Sequence, residues 1–357
     1  MRILSVVGAR PQFVKLAPIA SAMEGRAEHL IAHTGQHYDE IMSDVFFQDL
    51  GIPAPDFNLG VGSGKHGRQT GAMLAGLEEI LESVRPDFVL VYGDTNSTLA
   101  AALAAVKLHI PLAHLEAGLR SFNRRMPEEH NRVLTDHASD LLLAPTQVAM
   151  DHLAAEGLAE RSVLVGDVMT DVLFKTRDVL QHRETALPVG VTAGNYYIST
   201  IHRPDNTDDP ARLKQIIESL SGLDKDVLLL AHPRLVDTAG RQGLSLDSDR
   251  LIVASPLAYP ELVHAVMNSA GVITDSGGLQ KEAFLLRVPC TTVRPETEWV
   301  ETVTLGWNAL VSDDLTALPA AVQRPAPAPT SDTPYGDGQA ALRAVDALLA
   351  AGAKSGY

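Results

Sequence analysis

Asp94 and Glu116 are carboxylates placed where apolar sequence gives way abruptly to polar sequence, and Glu128 is a third, just inside a helix start. Asp94 follows Gly93 after the run Phe88–Tyr92, Glu116 closes Pro111–Leu115, and Glu128 follows Pro127 at the start of a helix-like stretch. Three such groups without metal-ligand spacing suit proton transfer at carbon, with pKa values held apart by their surroundings. Each also has a plain structural use. Asp94 reads as a helix N-cap, worth about 1 kcal/mol, and Glu128 as a first-turn acid favoured by the helix dipole. Taken together, the three favour catalysis.

A second set of residues suits anion binding. Asp275-Ser276-Gly277-Gly278 lies between the apolar run Ala270–Thr274 and the helix-like Leu279–Leu286. A strand that ends in two glycines before a helix offers unpaired N–H groups, the positive end of a helix dipole and room for close backbone approach. Six residues after Ser276, Glu282 falls in the second turn, where a carboxylate accepts from ribose hydroxyls. Phosphate with ribose reads as a nucleotide. Taken alone, the tetrapeptide fits a turn that merely needs glycine equally well. His202 and Arg203 close the run Tyr197–Ile201 and form a cationic pair suited to a diphosphate. Arg10 and Lys15, behind Ile3–Val7, offer the same service.

Arg10, Asp94, Glu116, His202 and Asp275 follow short continuous apolar runs, which read as buried parallel strands in βαβ units. In open α/β sheets the ligand crevice lies outside the carboxyl ends of the strands, so such an architecture gathers both charge signs at one crevice. Thr95–Lys107, Thr146–Glu156 (with Thr146 as cap), Pro210–Leu220 and Leu342–Ala351 read as helices. The chain thus reads as α/β, with two facing Rossmann-like domains at 1–166 and 167–341 and a closing helix, 342–357, packed back on the first. Neither half carries the strand-G-x-G-x-x-G-helix fingerprint of nicotinamide enzymes, and in Gly62–Gly67 a histidine stands where a Walker A loop needs Ser or Thr.

At 357 residues the chain is comfortable for two domains, and 45% hydrophobic with 20% charged residues is ordinary for a globular protein. A formal net charge of −15 speaks against nucleic acid or an anionic membrane as partner, but not against a nucleotide in a local basic pocket. The lone cysteine, Cys290, has no internal disulfide partner, and neither zinc-type cysteine spacing nor an H-E-x-x-H pattern occurs. The expectation is an enzyme with no metal, no transmembrane segment and a cytoplasmic location.

The motifs resemble those of the non-hydrolysing UDP-N-acetylglucosamine 2-epimerases almost from end to end. The resemblance rests on GARPQFVKLAPI (8–19), HTGQHYDE (33–40), GDTNSTLAAALAA (93–105) and HLEAGLRSFNRRMPEEHNR (114–132). It continues through IHRPDN (201–206), TDSGGLQKEAF (274–284), TEWVE (297–301) and PYGDG (334–338). It implies a glycosyltransferase-B type fold, a homodimer, an active site in the interdomain cleft, a UDP-sugar substrate and no cofactor. It also implies elimination of UDP with loss of the carbon 2 proton, then re-addition through 2-acetamidoglucal with the proton returned to the opposite face. Asp94, Glu116, Glu128 and His202 match the family's essential acids and histidine. Arg10, Ser276, Gly277 and Gly278 match its diphosphate contacts, and Glu282 its ribose contact.

Two departures stand out: Asp205, where many relatives carry Glu, and Asp39, where members with an allosteric second UDP-sugar site carry Gln. Gln36 and Arg68 match that allosteric site, but a carboxylate at 39 is unfavourable beside a diphosphate sugar. The motifs resemble the branch acting on UDP-2,3-diacetamido-2,3-dideoxy-glucuronate about as well as the UDP-N-acetylglucosamine branch, both feeding surface polysaccharide precursors. A hydrolysing epimerase, a glycosyltransferase of the same architecture and a UDP-sugar sensor are the remaining alternatives.

Overall fold

The structure, a computed structural model, describes residues 1–36, 52–182, 185–246 and 248–354, without the side chains of Arg10 and Lys354. The chain divides into two compact units, Met1–Val172 with Thr333–Tyr357, and Leu173–Asp332.

In the first unit, β1 (Arg2–Val7), β2 (Glu28–His33), β3 (Phe57–Asn58), β4 (Phe88–Tyr92), β5 (Leu112–Leu115), β6 (Leu141–Ala144) and β7 (Ser162–Leu164) form one sheet. Its order is β3-β2-β1-β4-β5-β6-β7, with every pairing parallel. Successive side chains of a strand point to opposite faces, so both faces need a core. Ile3 and Val7 enter one core with Leu16, Leu90 and Leu348, while Leu4 and Val6 enter another with Leu77, Val89 and Ala101. The intervening helices are α1 (Arg10–Met23), α2 (His66–Val84), α3 (Asn96–Lys107), α4 (Pro127–Ala138) and α5 (Gln147–Ala155), and α6 (Val168–Gln181) leads onward.

The expected boundary turn at Gly166-Asp167 lies inside the first unit, because its neighbours are held there. Val165 and Val168 are core residues, and the Tyr335 carbonyl accepts from the Asp167 amide at 3.0 Å. The Asp171 carboxylate accepts from the amides of Ala340 and Ala341, which start the closing helix Ala340–Lys354.

In the second unit, β8 (Tyr196–Thr200), β9 (Asp226–Leu230), β10 (Leu251–Ala254), β11 (Gly271–Thr274), β12 (Cys290–Thr292) and β13 (Asn308–Leu310) form a parallel sheet ordered β10-β9-β8-β11-β12-β13. Its helices include α7 (Pro204–Thr207), α8 (Pro210–Ser221), α9 (Pro233–Arg241), α10 (Tyr259–Met267) and α11 (Gly277–Leu285). Each order reverses direction beside its first strand, β1 or β8, the topological feature that opens a ligand crevice at the carboxyl ends of such sheets.

Candidate functional site

Asp94 and Glu116 emerge from the carboxyl ends of neighbouring strands. Tyr92 stands opposite Leu115 in the register of β4 and β5, and the Gly93 amide donates to the Leu115 carbonyl at 3.0 Å. Gly93 has φ +59°, and a Cβ there would lie 3.1 Å from Glu116 Oε2 and 3.4 Å from Lys15 Nζ, so glycine serves both turn and approach. Glu116 itself adopts φ +74°, left-handed backbone that a residue with a side chain occupies at a cost. Its carboxylate pairs with Lys15, on the second turn of α1, and both side chains are largely buried. Burial pushes the Lys15 pKa down, but Glu116 and then Asp94 and Asp167 outweigh it, and the net shift is upward. Lys15, expected to face a diphosphate, is committed to Glu116.

Asp94 does not cap the following helix. Thr95 does, its hydroxyl accepting from the Thr98 amide. The Asp94 carboxylate is therefore available to Arg132, whose Nε and Nη2 donate at 3.1 and 2.5 Å, while the Asn131 amide donates to the Asp94 carbonyl. Burial opposes the charge on Arg132, yet Asp94, Glu129 and Glu116 raise its pKa. The two adjacent acids at the head of α4 differ in use. Buried Glu129 accepts from the Ser121 amide and hydroxyl, the Phe122 amide and Arg132, and so fixes the 121–126 loop. Glu128, partly exposed, makes no hydrogen bond or ion pair among the described residues.

Beneath these turns lies a buried polar cluster that sequence reading passes over. His114, on β5, places Nε2 2.7 Å from the Gly93 carbonyl and Nδ1 2.6 Å from Asp136 Oδ1. Asp136 Oδ2 accepts from Arg120 at 2.7 Å and from the Gly118 amide at 3.1 Å. Arg120 also makes two hydrogen bonds to Glu156. Gln12 is a second such residue: it accepts from the amides of Gly8 and Ala9 and donates to Tyr92 and Thr98, tying the first loop to the end of β4. The signal for both was present as polar residues inside or beside apolar runs.

In the second unit the buried carboxylate of Asp275 turns inward. It accepts from the amides of His202 (3.0 Å) and Arg203 (2.9 Å) and from the Asn206 side chain (3.0 Å), and it faces His202 Nδ1 at 3.1 Å. A histidine donating from Nδ1 to a carboxylate presents Nε2 outward, and this side chain is 52% exposed. Ser276 caps α11, its hydroxyl accepting from the Leu279 amide, and its own amide donates to Thr274. A Cβ on Gly277 would meet Glu298 Oε1 at 2.4 Å, whereas one on Gly278 would meet open space. Glu298 also faces Arg294 at 3.0 Å. Glu282 accepts from the Tyr259 hydroxyl at 3.1 Å.

Arg10 is the first residue of α1. Gln36 Oε1 accepts from the Ser97 amide and hydroxyl, and the Gln36 carbonyl accepts from Gln69, next to exposed Arg68. Asp39 lies outside the described residues, and Asp205 is exposed on α7. Among the described residues, no group of three or more His, Cys, Asp or Glu is placed to hold a metal ion, and no helix is long and apolar enough to cross a membrane.

A family model for UDP-N-acetylglucosamine 2-epimerase matches residues 21–349. A UDP-N-acetylglucosamine 2-epimerase homolog of Methanococcus maripaludis is 44% identical, over 98% of this chain and 99% of the relative. A UDP-2,3-diacetamido-2,3-dideoxy-D-glucuronate 2-epimerase of Pseudomonas aeruginosa is 46% identical over the same shares. The crystal structure of the Methanocaldococcus jannaschii UDP-GlcNAc 2-epimerase in complex with UDP-GlcNAc and UDP superposes with a TM-score of 0.86 at 39% identity, covering 98% of this chain and 100% of that one. With two parallel sheets flanked by helices, the glycosyltransferase-B-like arrangement of these relatives, and a match spanning nearly its whole length, the chain belongs to the UDP-N-acetylglucosamine 2-epimerase family, a family of isomerases.

Proposed function

We propose that the protein interconverts UDP-N-acetylglucosamine and UDP-N-acetylmannosamine by elimination and re-addition of UDP. The observation that carries this reading is the acid cluster at the carboxyl ends of β4 and β5. Asp94 and Glu116 are each held by a cation, while Glu128 stands unpaired among the described residues. In the reaction a carboxylate takes the carbon 2 proton as the bond from carbon 1 to the diphosphate oxygen breaks. The electron pair of that bond leaves with UDP, and a carbon 1 to carbon 2 double bond remains. The diphosphate oxygen then attacks carbon 1, and a carboxylic acid delivers a proton to carbon 2 from the opposite face. Asp94, Glu116 and Glu128 carry these two transfers, with Lys15 and Arg132 holding the first two in place.

His202, oriented by Asp275, offsets charge on the departing diphosphate. Arg10, Arg203 and the Ser276-Gly277-Gly278 turn hold the diphosphate, and Glu282 holds the ribose. The protein works as a cytoplasmic homodimer.

A second reading keeps the chemistry and changes the sugar to UDP-2,3-diacetamido-2,3-dideoxy-glucuronate, a reading supported by the 46% identical relative of that name. Incubation with each sugar nucleotide, followed by chromatographic separation, tests both. Formation of the epimer at carbon 2 from either one identifies the substrate. Accumulation of UDP with free N-acetylmannosamine would instead mark a hydrolysing enzyme, and no product from either would refute the reading.

A further inference from the structure

We propose that His114 is a doubly protonated positioning residue that locks the turns carrying Asp94 and Glu116. The inference rests on the functional reading above and assigns a role to a side chain that touches no substrate. A neutral imidazole has one N–H donor and one acceptor nitrogen. His114 meets an acceptor on both sides: the Gly93 carbonyl at 2.7 Å from Nε2 and the Asp136 carboxylate at 2.6 Å from Nδ1. The ring is fully buried, so no water takes either place. Two acceptors need two N–H donors, and that is an imidazolium.

The charge is balanced within the cluster. Burial works to raise the Asp136 pKa, but His114 and Arg120 outweigh it and keep the carboxyl ionised. Glu156 supplies the second anion, bound to Arg120, and exposed His137 borders Glu156. His114 and Arg120 against Asp136 and Glu156 thus make a neutral set of two cations and two anions, which is the condition for burying them.

What the set holds is the frame of the acid site. The carbonyl that His114 grips belongs to Gly93, the left-handed residue just before Asp94. The carboxylate it grips also binds the amide of Gly118, two residues past Glu116 and itself at φ +82°. One ring therefore spans both turns, from which Asp94 and Glu116 project towards Arg132 and Lys15. Loss of either N–H frees one turn.

The test uses the full-length protein labelled with nitrogen-15 in its histidines. At about pH 8 an unperturbed histidine is neutral, yet His114 is expected to show two protonated, exchange-protected ring nitrogens. Its resonances are identified by their loss in His114→Gln. That variant keeps a single amide donor direction, and it is expected to retain UDP affinity and KM while kcat falls about 100-fold. A neutral His114 ring, or wild-type turnover in His114→Gln, overturns the proposal. Should His114→Gln fail to fold, Asp136→Asn decides. It keeps the shape, removes the negative partner, and must abolish the imidazolium signal and lower kcat. Wild-type protein inactive on both sugar nucleotides would refute the functional reading, while the nitrogen spectrum would still decide the state of His114.

Discussion

The acid site proposed in the first unit and the anion site proposed in the second are both built at the carboxyl ends of parallel strands, yet they use opposite means. In the first, carboxylates are held by charged side chains, Glu116 by Lys15 and Asp94 by Arg132. In the second, the buried carboxylate of Asp275 points inward, and its work is to fold a loop so that His202 faces out. Proton transfer needs carboxylates whose position is fixed and whose neighbours tune them. A diphosphate needs backbone amides and open space, and in the proposed site Gly278 faces open space at the head of α11, while Gly277 lies against Glu298. The difference teaches that turnover and nucleotide affinity should be separable by mutation.

The largest effect is expected from Glu116→Gln, which keeps the shape but removes a proton carrier. Turnover should fall by about 10²- to 10⁴-fold with UDP affinity unchanged in titration calorimetry, and an equal loss of both would break the comparison. Asp275→Asn should act instead on the loop that orients His202, and turnover should fall with it. An amide presents only one acceptor oxygen to the donors from His202, Arg203 and Asn206, so unfolding in denaturant should show a loss of about 3 kcal/mol, accompanied by weaker UDP binding. A smaller change should follow Gly93→Ala. Left-handed backbone and a Cβ 3.1 Å from Glu116 Oε2 should cost about 1 kcal/mol of stability and lower kcat without touching UDP affinity.

The smallest effect serves as a control outside both sites. Burial holds the His29 pKa down to about 4 from an ordinary 6.5, against an opposing pull from Asp56. The unfolded chain therefore binds the proton first. Its contribution is complete above pH 6.5, is lost as pH falls from 6.5 towards about 4, and changes no further below. His29→Gln should flatten that part of the stability profile by about 1–2 kcal/mol, the upper figure reduced for the ring's partial exposure, and leave both activities alone.

Much of the architecture was legible because buried parallel strands are continuous apolar runs, and Phe88–Tyr92 is a strand over the same five residues in sequence and structure. Helix α2 was not, since Gly67, Gly71 and Gly76 dilute a stripe of Gln69, Met73, Leu77, Ile80 and Leu81 that only burial reveals. Edge strand β10 is the apolar run Leu251–Ala254, but at the sheet edge only Leu251 is buried and Val253 is exposed. For the site, residue types were readable but partners were not. Asp94 reads locally as a cap because Arg132, 38 residues away, is invisible to spacing. Asp275 reads as part of an anion loop because its grip on the 202–206 loop spans about 70 residues of intervening chain. Lys15 passes for a phosphate ligand until β5 brings Glu116 to it.

The most direct test of the elimination chemistry assigned to the acid site is proton NMR of the protein with UDP-N-acetylglucosamine in heavy water, repeated with the diacetamido-glucuronate nucleotide. The account predicts that the epimer forms with deuterium at carbon 2, and that deuterium also enters the recovered substrate. An epimer that retains its original carbon 2 proton, or the absence of both exchange and epimer with either nucleotide, would contradict it.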